Sequence, residues 1–243
     1  MNFRYILPIY FFVFSILLAE SDANKILIQI SNLFNNINRS MIIESSVIKN
    51  GEIKKSQKVK IQIYWPHNSK KKRLTLIEFF KPKRKSGVKL WEHTFTGNST
   101  PLIWMTMPVT GKLKDISNKK PKRNDFDISE LQLTEEVIFA YQNSIIKNSD
   151  ELIIESISNI DQQKKLIYID KKFKFIYKVE TYNKKNKILR SIECVEFKLV
   201  DNYKIASKVT VNDLKKKHTV DIKITDFSFT EFADTTIFEP KGK

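Results

Sequence analysis

The side chains best suited to bind a ligand are large aromatic and sulfur-containing residues between positions 65 and 105. They lie in or beside stretches with the alternation of β-strands, and they are Trp65, Phe79, Trp91, Trp104 and Met105. Rigid aromatic rings and adaptable methionine side chains suit a surface that receives acyl chains. The same residues would also fill an ordinary hydrophobic core. The sequence therefore leaves a ligand surface and core packing as alternatives.

Residues that could support catalysis or metal binding are scattered along the chain. His67, His93 and His218 belong to no HExxH pattern, and neither a GxSxG elbow nor a glycine-rich phosphate motif occurs. The single cysteine, Cys194, excludes an internal disulfide and lies in an alternating strand, where it packs as a small hydrophobic residue. We therefore predict no enzymatic activity, no metal and no cofactor, with a hydrolase built from distant strands as an alternative that the sequence leaves open.

The positive charge is concentrated in one part of the chain. The 243 residues carry a formal net charge of +16, and residues 49–123 alone hold 20 basic and 4 acidic side chains. A stretch of this kind is either a solvated lysine-rich surface or a site for an anionic partner, such as a lipid headgroup surface or an acidic protein. The candidate docking residues are Lys83, Arg84, Lys85, Lys120, Lys122 and Arg123.

The N-terminus has the layout of a secretory signal peptide. A short basic start up to Arg4 precedes an apolar run of 14 residues, 5–18, and small residues follow. The run is short for a membrane-spanning helix, which needs about 20 residues. We predict export to the periplasm with cleavage after Ala23, and Ala19 is the alternative cleavage position; a retained membrane anchor is the other interpretation. Export makes nucleic acid an unexpected partner.

The remaining pattern predicts one helix followed by a long antiparallel sheet. Apolar residues recur at helical spacing over 25–38, and the period then changes to two. Asn50-Gly51 is a strong hairpin signal, because both central residues of a type I′ turn need a positive φ. The connection 118–133 is polar and basic and is expected to contain a short helix near 128–131. With no linker dividing the chain, we predict a single domain, 24–243, in which about ten strands curl into a barrel or half-barrel.

Three motifs in this order resemble the LolA-like family of periplasmic outer-membrane lipoprotein-sorting proteins. They are Leu76–Pro82, Ile103–Leu113 and Asn124–Leu131, and the C-terminal strands extend the resemblance to about residue 241. The sequence departs from the family pattern at Gly87-Val88, at Thr106 and in the basic segment 119–123.

The resemblance implies a mainly β fold: one curved antiparallel sheet of about eleven strands, a half-barrel whose concave face is covered by the N-terminal helix and the short loop helix. It also implies a monomeric carrier that binds lipid or lipoprotein acyl chains between an inner-membrane transporter and an outer-membrane acceptor. Phe126 joins the five residues named above as a lining residue of the expected cavity. The alternative is an adaptor or sensor that docks on an inner-membrane transporter or a signalling protein.

Overall fold

A computed structural model of the chain describes residues 22–67, 71–95, 100–118 and 133–241. The predicted signal sequence up to residue 21 lies outside the described residues, as do Phe126, the predicted helix at 128–131 and the basic residues Lys120, Lys122 and Arg123. None of the helices in the described residues combines the length and the hydropathy of a transmembrane segment.

The described residues form thirteen β-strands. Their bounds are β1 Arg39–Lys49, β2 Glu52–Tyr64, β3 Lys71–Lys81, β4 Lys89–Phe95, β5 Leu102–Thr106, β6 Leu113–Asp115, β7 Tyr141–Asn148, β8 Glu151–Ser158, β9 Lys164–Asp170, β10 Phe175–Tyr182, β11 Ile188–Val200, β12 Tyr203–Asp213 and β13 His218–Phe229. Helix α1 covers 22–31 and helix α2 covers Glu135–Phe139, while Lys83–Lys85 and Thr236–Phe238 form 3-10 turns.

The strands follow one hydrogen-bonded order, β6-β5-β4-β3-β2-β1-β13-β12-β11-β10-β9-β8-β7. The predicted mainly β class with one antiparallel sheet is confirmed, and the strand count is slightly higher than the expected eleven. Strand β6 escaped prediction because it has only three residues, all of them exposed, and so shows no alternation. The Asn50-Gly51 turn is confirmed, since both residues have positive φ, 54° and 76°.

The chain divides into two compact units. The first consists of Met1–Leu33, Asp127–Cys194 and Val211–Lys217, and the second of Phe34–Phe126, Val195–Thr210 and His218–Lys243. The single domain at 24–243 stays a prediction.

In the first unit, helix α1 covers one face of strands β8 and β9. Leu27 is buried in an aliphatic core whose other buried members are Ala23, Ile138, Leu152, Ile154, Ile167 and Ile169. Leu152 pairs with Ile169 and Ile154 with Ile167, so these four side chains share one face of the sheet. The buried amide of Asn143 donates to Asn24 Oδ1 at 2.8 Å and to the carbonyl of Ile138 at 2.9 Å. Strand β7 is thereby tied to both helices.

Helix α1 is shorter than the predicted helix 25–38. It ends at residue 31, where the Ser31 hydroxyl donates to the carbonyl of Ile28 at 2.8 Å, and a turn follows over 32–36. Asn36 has a φ of 60°, a conformation that asparagine adopts more readily than most residues. Local asparagine turn chemistry ends the helix, although the apolar spacing continues through Ile37. Ala23 is buried within α1, so cleavage after Ala19 would leave this core residue in the mature chain, whereas cleavage after Ala23 would remove it.

In the second unit, strands β1 to β5 are neighbours in the sheet, and the C-terminal segment (residues 230–241) packs against one of their faces. Phe238 is fully buried there with Leu74, Leu76 and Trp91. These strands position the side chains of the candidate site.

Candidate functional site

Strand register assigns the side chains of β1 to β5 to two opposite faces. Directly paired residues of antiparallel strands share a face, and the face alternates along each strand. One row of pairs joins Met41, Ile61, Ile77, Leu90 and Met105, and the neighbouring row on the same face joins Arg39, Ile63, Thr75, Glu92 and Ile103. A third row on this face consists of Ile43, its strand partner Val59, and Phe79, which pairs with Val59 on the other side. We call the surface formed by these three rows the apolar face.

The apolar face extends over five strands and spans five residues of β1, β2 and β3 but three of β4 and β5. At about 3.3 Å per residue and 4.8 Å per strand, it measures roughly 13 Å along β1 to β3, roughly 7 Å along β4 and β5, and roughly 19 Å across the strands. Its burial is uneven. Val59, Ile61 and Ile63 on β2 are buried, as are Ile43 on β1 and Thr75 on β3. Met41 on β1 is half-buried, and so are five neighbouring side chains on β3 to β5: Ile77, Phe79, Leu90, Ile103 and Met105. These five form the larger accessible part of this surface.

One end of the apolar face carries two arginines. Arg39 donates from Nη1 to the carbonyls of Phe34 and Ile37, at 2.7 and 3.1 Å, and its guanidinium lies 5.5 Å from the centre of the Phe34 ring. Arg73 donates from Nη2 to Glu92 Oε1 at 2.8 Å. Burial, together with a smaller contribution from the nearby charge of Arg73, lowers the pKa of Arg39 to about 10. This end is thus closed by a charged and well-bonded group.

An aromatic cluster lies beside these arginines. Phe34 contacts Tyr203 and Phe229 with ring centroids 5.3 and 6.2 Å apart, and Phe227 lies 5.2 Å from Phe229. Phe229 is the direct strand partner of Arg39. The loop after α1 is therefore held over this end of the apolar face both by Arg39 and by ring packing.

The opposite face of the same strands, which we call the capped face, is covered by the C-terminal segment. Trp91 pairs with Trp104 across β4 and β5, and Trp91 Nε1 donates to the carbonyl of Ile237 at 2.9 Å. His93 Nε2 donates to the carbonyl of Phe238 at 2.8 Å, and its ring lies 4.9 Å from that of Trp104. The Phe238 ring stacks on Tyr64 with a centroid separation of 5.4 Å. Side chains of the chain itself thus occupy this aromatic surface.

The predicted lining residues do not all meet on one surface. Phe79 and Met105 lie on the apolar face, whereas Trp91 and Trp104 lie on the capped face. Trp65 follows the end of β2, is buried, and donates from its backbone nitrogen to Asn38 Oδ1 at 2.8 Å. Phe126 lies outside the described residues. Of the six predicted residues, two therefore share the accessible surface.

Sequence reasoning missed most of the accessible surface. Ile77, Leu90 and Ile103 look like ordinary strand residues, and only their pairing partners show that they continue the surface of Met105. The two arginines also gave no signal, because Arg39 and Arg73 are far apart in sequence and lie among residues with other roles. The alternation of Val59, Ile61 and Ile63 was the one visible signal for this face.

Half of the predicted basic patch is described. Lys83, Arg84 and Lys85 form an exposed 3-10 turn between β3 and β4, and Lys85 Nζ lies 5.4 Å from the centre of the Phe79 ring. This turn therefore adjoins the end of the apolar face that is opposite to the arginines.

In the first unit, a buried carboxylate has a complete set of partners. Glu180 accepts from the hydroxyls of Tyr168 and Tyr182 at 2.8 and 2.6 Å and pairs with Lys178 Nζ at 2.9 Å. Burial alone would raise the pKa of Glu180, but these three donors outweigh burial and lower it, while burial and the carboxylate raise the pKa of Tyr182 to about 12. A carboxylate that is stabilised as an anion in this way is suited to structural anchoring. No group of three or more His, Cys, Asp or Glu side chains within the described ranges could hold a metal ion.

Comparisons with known proteins bear on the fold. A family model with the description "Uncharacterized protein" matches residues 71–242. No curated protein matches the sequence at a significant level.

Three solved structures are similar over most of the chain. The chain resembles a DUF1329 family protein from Desulfovibrio piger with a TM-score of 0.72 and 13% identity, covering 91% of this chain and 97% of that one. It resembles a putative outer membrane lipoprotein-sorting protein domain from Vibrio parahaemolyticus with a TM-score of 0.69 and 16% identity, covering 90% and 97%. It also resembles a LolA superfamily protein from Nitrosomonas europaea with a TM-score of 0.58 and 13% identity, covering 88% and 96%. At these identities the likeness shows the fold.

Proposed function

The chain belongs to the family whose model covers residues 71–242 and has the fold of the LolA-like proteins, and from that premise we propose that it is a periplasmic carrier that binds the acyl chains of a lipid or lipoprotein. The observation that supports the proposal is the half-buried surface of Ile77, Phe79, Leu90, Ile103 and Met105. The capped face of the same strands is covered by the chain's own C-terminal segment, whereas this surface stays accessible.

Binding would be driven by removal of apolar surface from water. Each CH₂ group that leaves water contributes about 0.8 kcal/mol, so one or two acyl chains on the apolar face give useful affinity without any polar contact. A ligand held in this way has no covalent step to undergo. We accordingly propose a binding protein without catalytic activity, metal or cofactor.

The proposed route of the protein follows from its N-terminus and from its expected cargo. We propose that residues 1–23 direct export, with cleavage after Ala23 or Ala19, and that the mature monomer receives acyl chains from an inner-membrane transporter and delivers them to an outer-membrane acceptor. The burial of Ala23 in helix α1 supports cleavage after Ala19.

Two variants of strand β5 test the proposal. Met105→Glu places a carboxylate on the apolar face, and we expect the dissociation constant of a fluorescent fatty-acid probe to rise at least about tenfold, because an ionised group in an apolar site is strongly unfavourable. Leu102→Glu is the matched control: it lies three residues away on the capped side of the same strand and is already partly exposed. Its affinity should stay within about twofold of that of the wild type.

Mass spectrometry of protein purified from the periplasm identifies the cargo. About one acylated ligand per chain is the expected result, and organic extraction should release it. A protein that purifies empty and also takes up no fatty-acid probe would contradict the carrier proposal and favour an adaptor that docks on a transporter or a signalling protein.

A further inference from the structure

In the second unit, two neighbouring turns at one end of the strands carry a concentrated positive charge. The first turn joins β3 to β4, and the second joins β5 to β6. We define the basic tip as residues 80–89 and 106–114, which contain seven basic side chains and no acidic one. The basic residues are Lys81, Lys83, Arg84, Lys85, Lys89, Lys112 and Lys114.

Strand pairing places the two turns side by side. Leu90 pairs with Met105, and the backbone nitrogen of Lys89 donates to Thr106 Oγ1 at 2.9 Å. The second turn is closed by hydrogen bonds from Met107 N to the Lys112 carbonyl at 2.8 Å and from Gly111 N to the Met107 carbonyl at 2.9 Å. Both turns therefore project from the same end of the strands and form one surface.

The basic tip also exposes apolar side chains. Val109 at the end of the second turn is 95% exposed, and Phe80, Met107 and Leu113 are 37–39% exposed. Exposed hydrophobic residues among lysines and arginines are typical of surfaces that lie in the interface of a membrane, where the charges meet anionic headgroups and the apolar groups enter the acyl boundary. Charge pairing with an acidic protein would by itself need no apolar side chain as exposed as that of Val109.

The apolar face extends to this same end of the strands. Phe79 and Met105 belong to the apolar face, and the next residues along their strands lead into the two turns. The ring of Phe79 lies under Lys85 Nζ at 5.4 Å. A membrane in contact with the tip would meet the apolar face at its open end, opposite to Arg39 and Arg73.

We propose that the basic tip docks the protein on an anionic lipid bilayer, with Val109 inserted at the headgroup level, so that acyl chains enter and leave the apolar face at this end. The entry and exit of acyl chains at this end of the sheet deepen the proposed carrier function and rest on it. The docking itself depends only on the tip.

Vesicle co-sedimentation tests the docking. The full mature chain is mixed with vesicles of phosphatidylglycerol and phosphatidylcholine, and separately with phosphatidylcholine alone. Each basic residue near an anionic surface raises partitioning roughly fivefold. We therefore expect the wild type to bind the anionic vesicles at least about 100-fold better, and to lose most of this binding when the salt concentration is raised to about 0.5 M.

Three variants locate the contact. K83E/R84E/K85E should reduce partitioning into anionic vesicles by at least about 100-fold, and Val109→Asp by roughly tenfold, because a carboxylate does not enter the acyl boundary. K184E/K185E/K187E makes the same charge change in the exposed turn between β10 and β11 and serves as the control. A control that loses as much binding as K83E/R84E/K85E, or a wild type that does not prefer anionic vesicles, would overturn the proposal.

The docking and carrier proposals fail separately. Probe uptake in vesicle-free solution reports only on the apolar face, and we expect the K83E/R84E variant, which keeps Lys85 beside the Phe79 ring, to retain it. Loss of vesicle binding with intact probe uptake is the expected pattern. Intact vesicle binding in that variant would refute the docking proposal, whereas absence of probe uptake by the wild type would refute only the carrier function.

Discussion

The two units of the molecule differ in how far the chain covers their apolar sheet faces. In the first unit, helix α1 packs Ala23 and Leu27 onto β8 and β9, and the aliphatic residues beneath are buried. In the second unit, the chain covers the capped face with Phe238 but leaves part of the apolar face accessible. An apolar surface that its own chain covers contributes to stability, and an accessible one is available to a ligand. Aromatic content alone therefore does not identify the accessible surface, because Trp91 and Trp104 belong to the covered side.

The largest expected effect comes from removing the ring that covers the capped face. Phe238→Ala should lower the free energy of unfolding by about 4 kcal/mol, since a fully buried phenylalanine leaves a large cavity. Urea denaturation followed by tryptophan fluorescence measures the change. Thr236→Ala, an exposed position in the same 3-10 turn, should change stability by less than about 0.5 kcal/mol.

The folded fraction of Phe238→Ala should still take up the fatty-acid probe with wild-type affinity, because Phe238 lies on the other side of the strands. Loss of uptake in protein that remains folded would break the distinction between the two faces.

A somewhat smaller effect is expected from the helix that covers the first unit. Leu27→Ala should destabilise the protein by about 3 kcal/mol, a typical cost of truncating a buried leucine to alanine. Lys25→Ala on the exposed side of α1 should have little effect, since its ion pair with Asp22 is solvated. Thermal unfolding of both variants measures the difference. Equal destabilisation by the two substitutions would show that α1 does not seal this core.

The smallest expected effect concerns Glu180 of the first unit and depends on pH. Its pKa is lowered in the folded protein, so the carboxylate contributes stability above its unfolded pKa of about 4.5, and this contribution is lost as the pH falls through the folded value. Glu180→Gln should therefore cost about 1–3 kcal/mol at pH 7. The difference from the wild type should shrink below about pH 4.5.

Urea denaturation at several pH values between 3 and 7 tests this. The exposed Glu231→Gln is the control and should match the wild type throughout the range. A difference between Glu180→Gln and the wild type that stays constant with pH would show that the charge of Glu180 is not what its three donors stabilise.

Local patterns predicted a large part of this structure. The alternation of Val59, Ile61 and Ile63 predicted strand β2. Asn50-Gly51 predicted the β1–β2 hairpin, since both residues adopt the positive φ angles of a two-residue turn and Lys49 pairs with Glu52 on either side of it. Predictions of helix length were weaker, because the apolar spacing through Ile37 continued beyond the asparagine-rich turn that ends α1. The candidate site was predicted only in part, since a choice between the two faces of five strands needs their mutual register.

Three features could be read from the amino-acid sequence, because each depends on neighbours in the chain: the strand-forming segments, the concentration of lysine between residues 49 and 123, and the lack of a recognisable catalytic motif. Which side of each strand is accessible depends on the packing of distant segments. Trp104 and Met105 are adjacent in sequence, yet one is packed beside His93, which hydrogen-bonds the C-terminal segment, and the other lies on the half-buried apolar face. The reason is physical: side chains alternate across a strand, and the residues that cover one face, such as Ile237 above Trp91, come from a segment about 146 residues away in the chain.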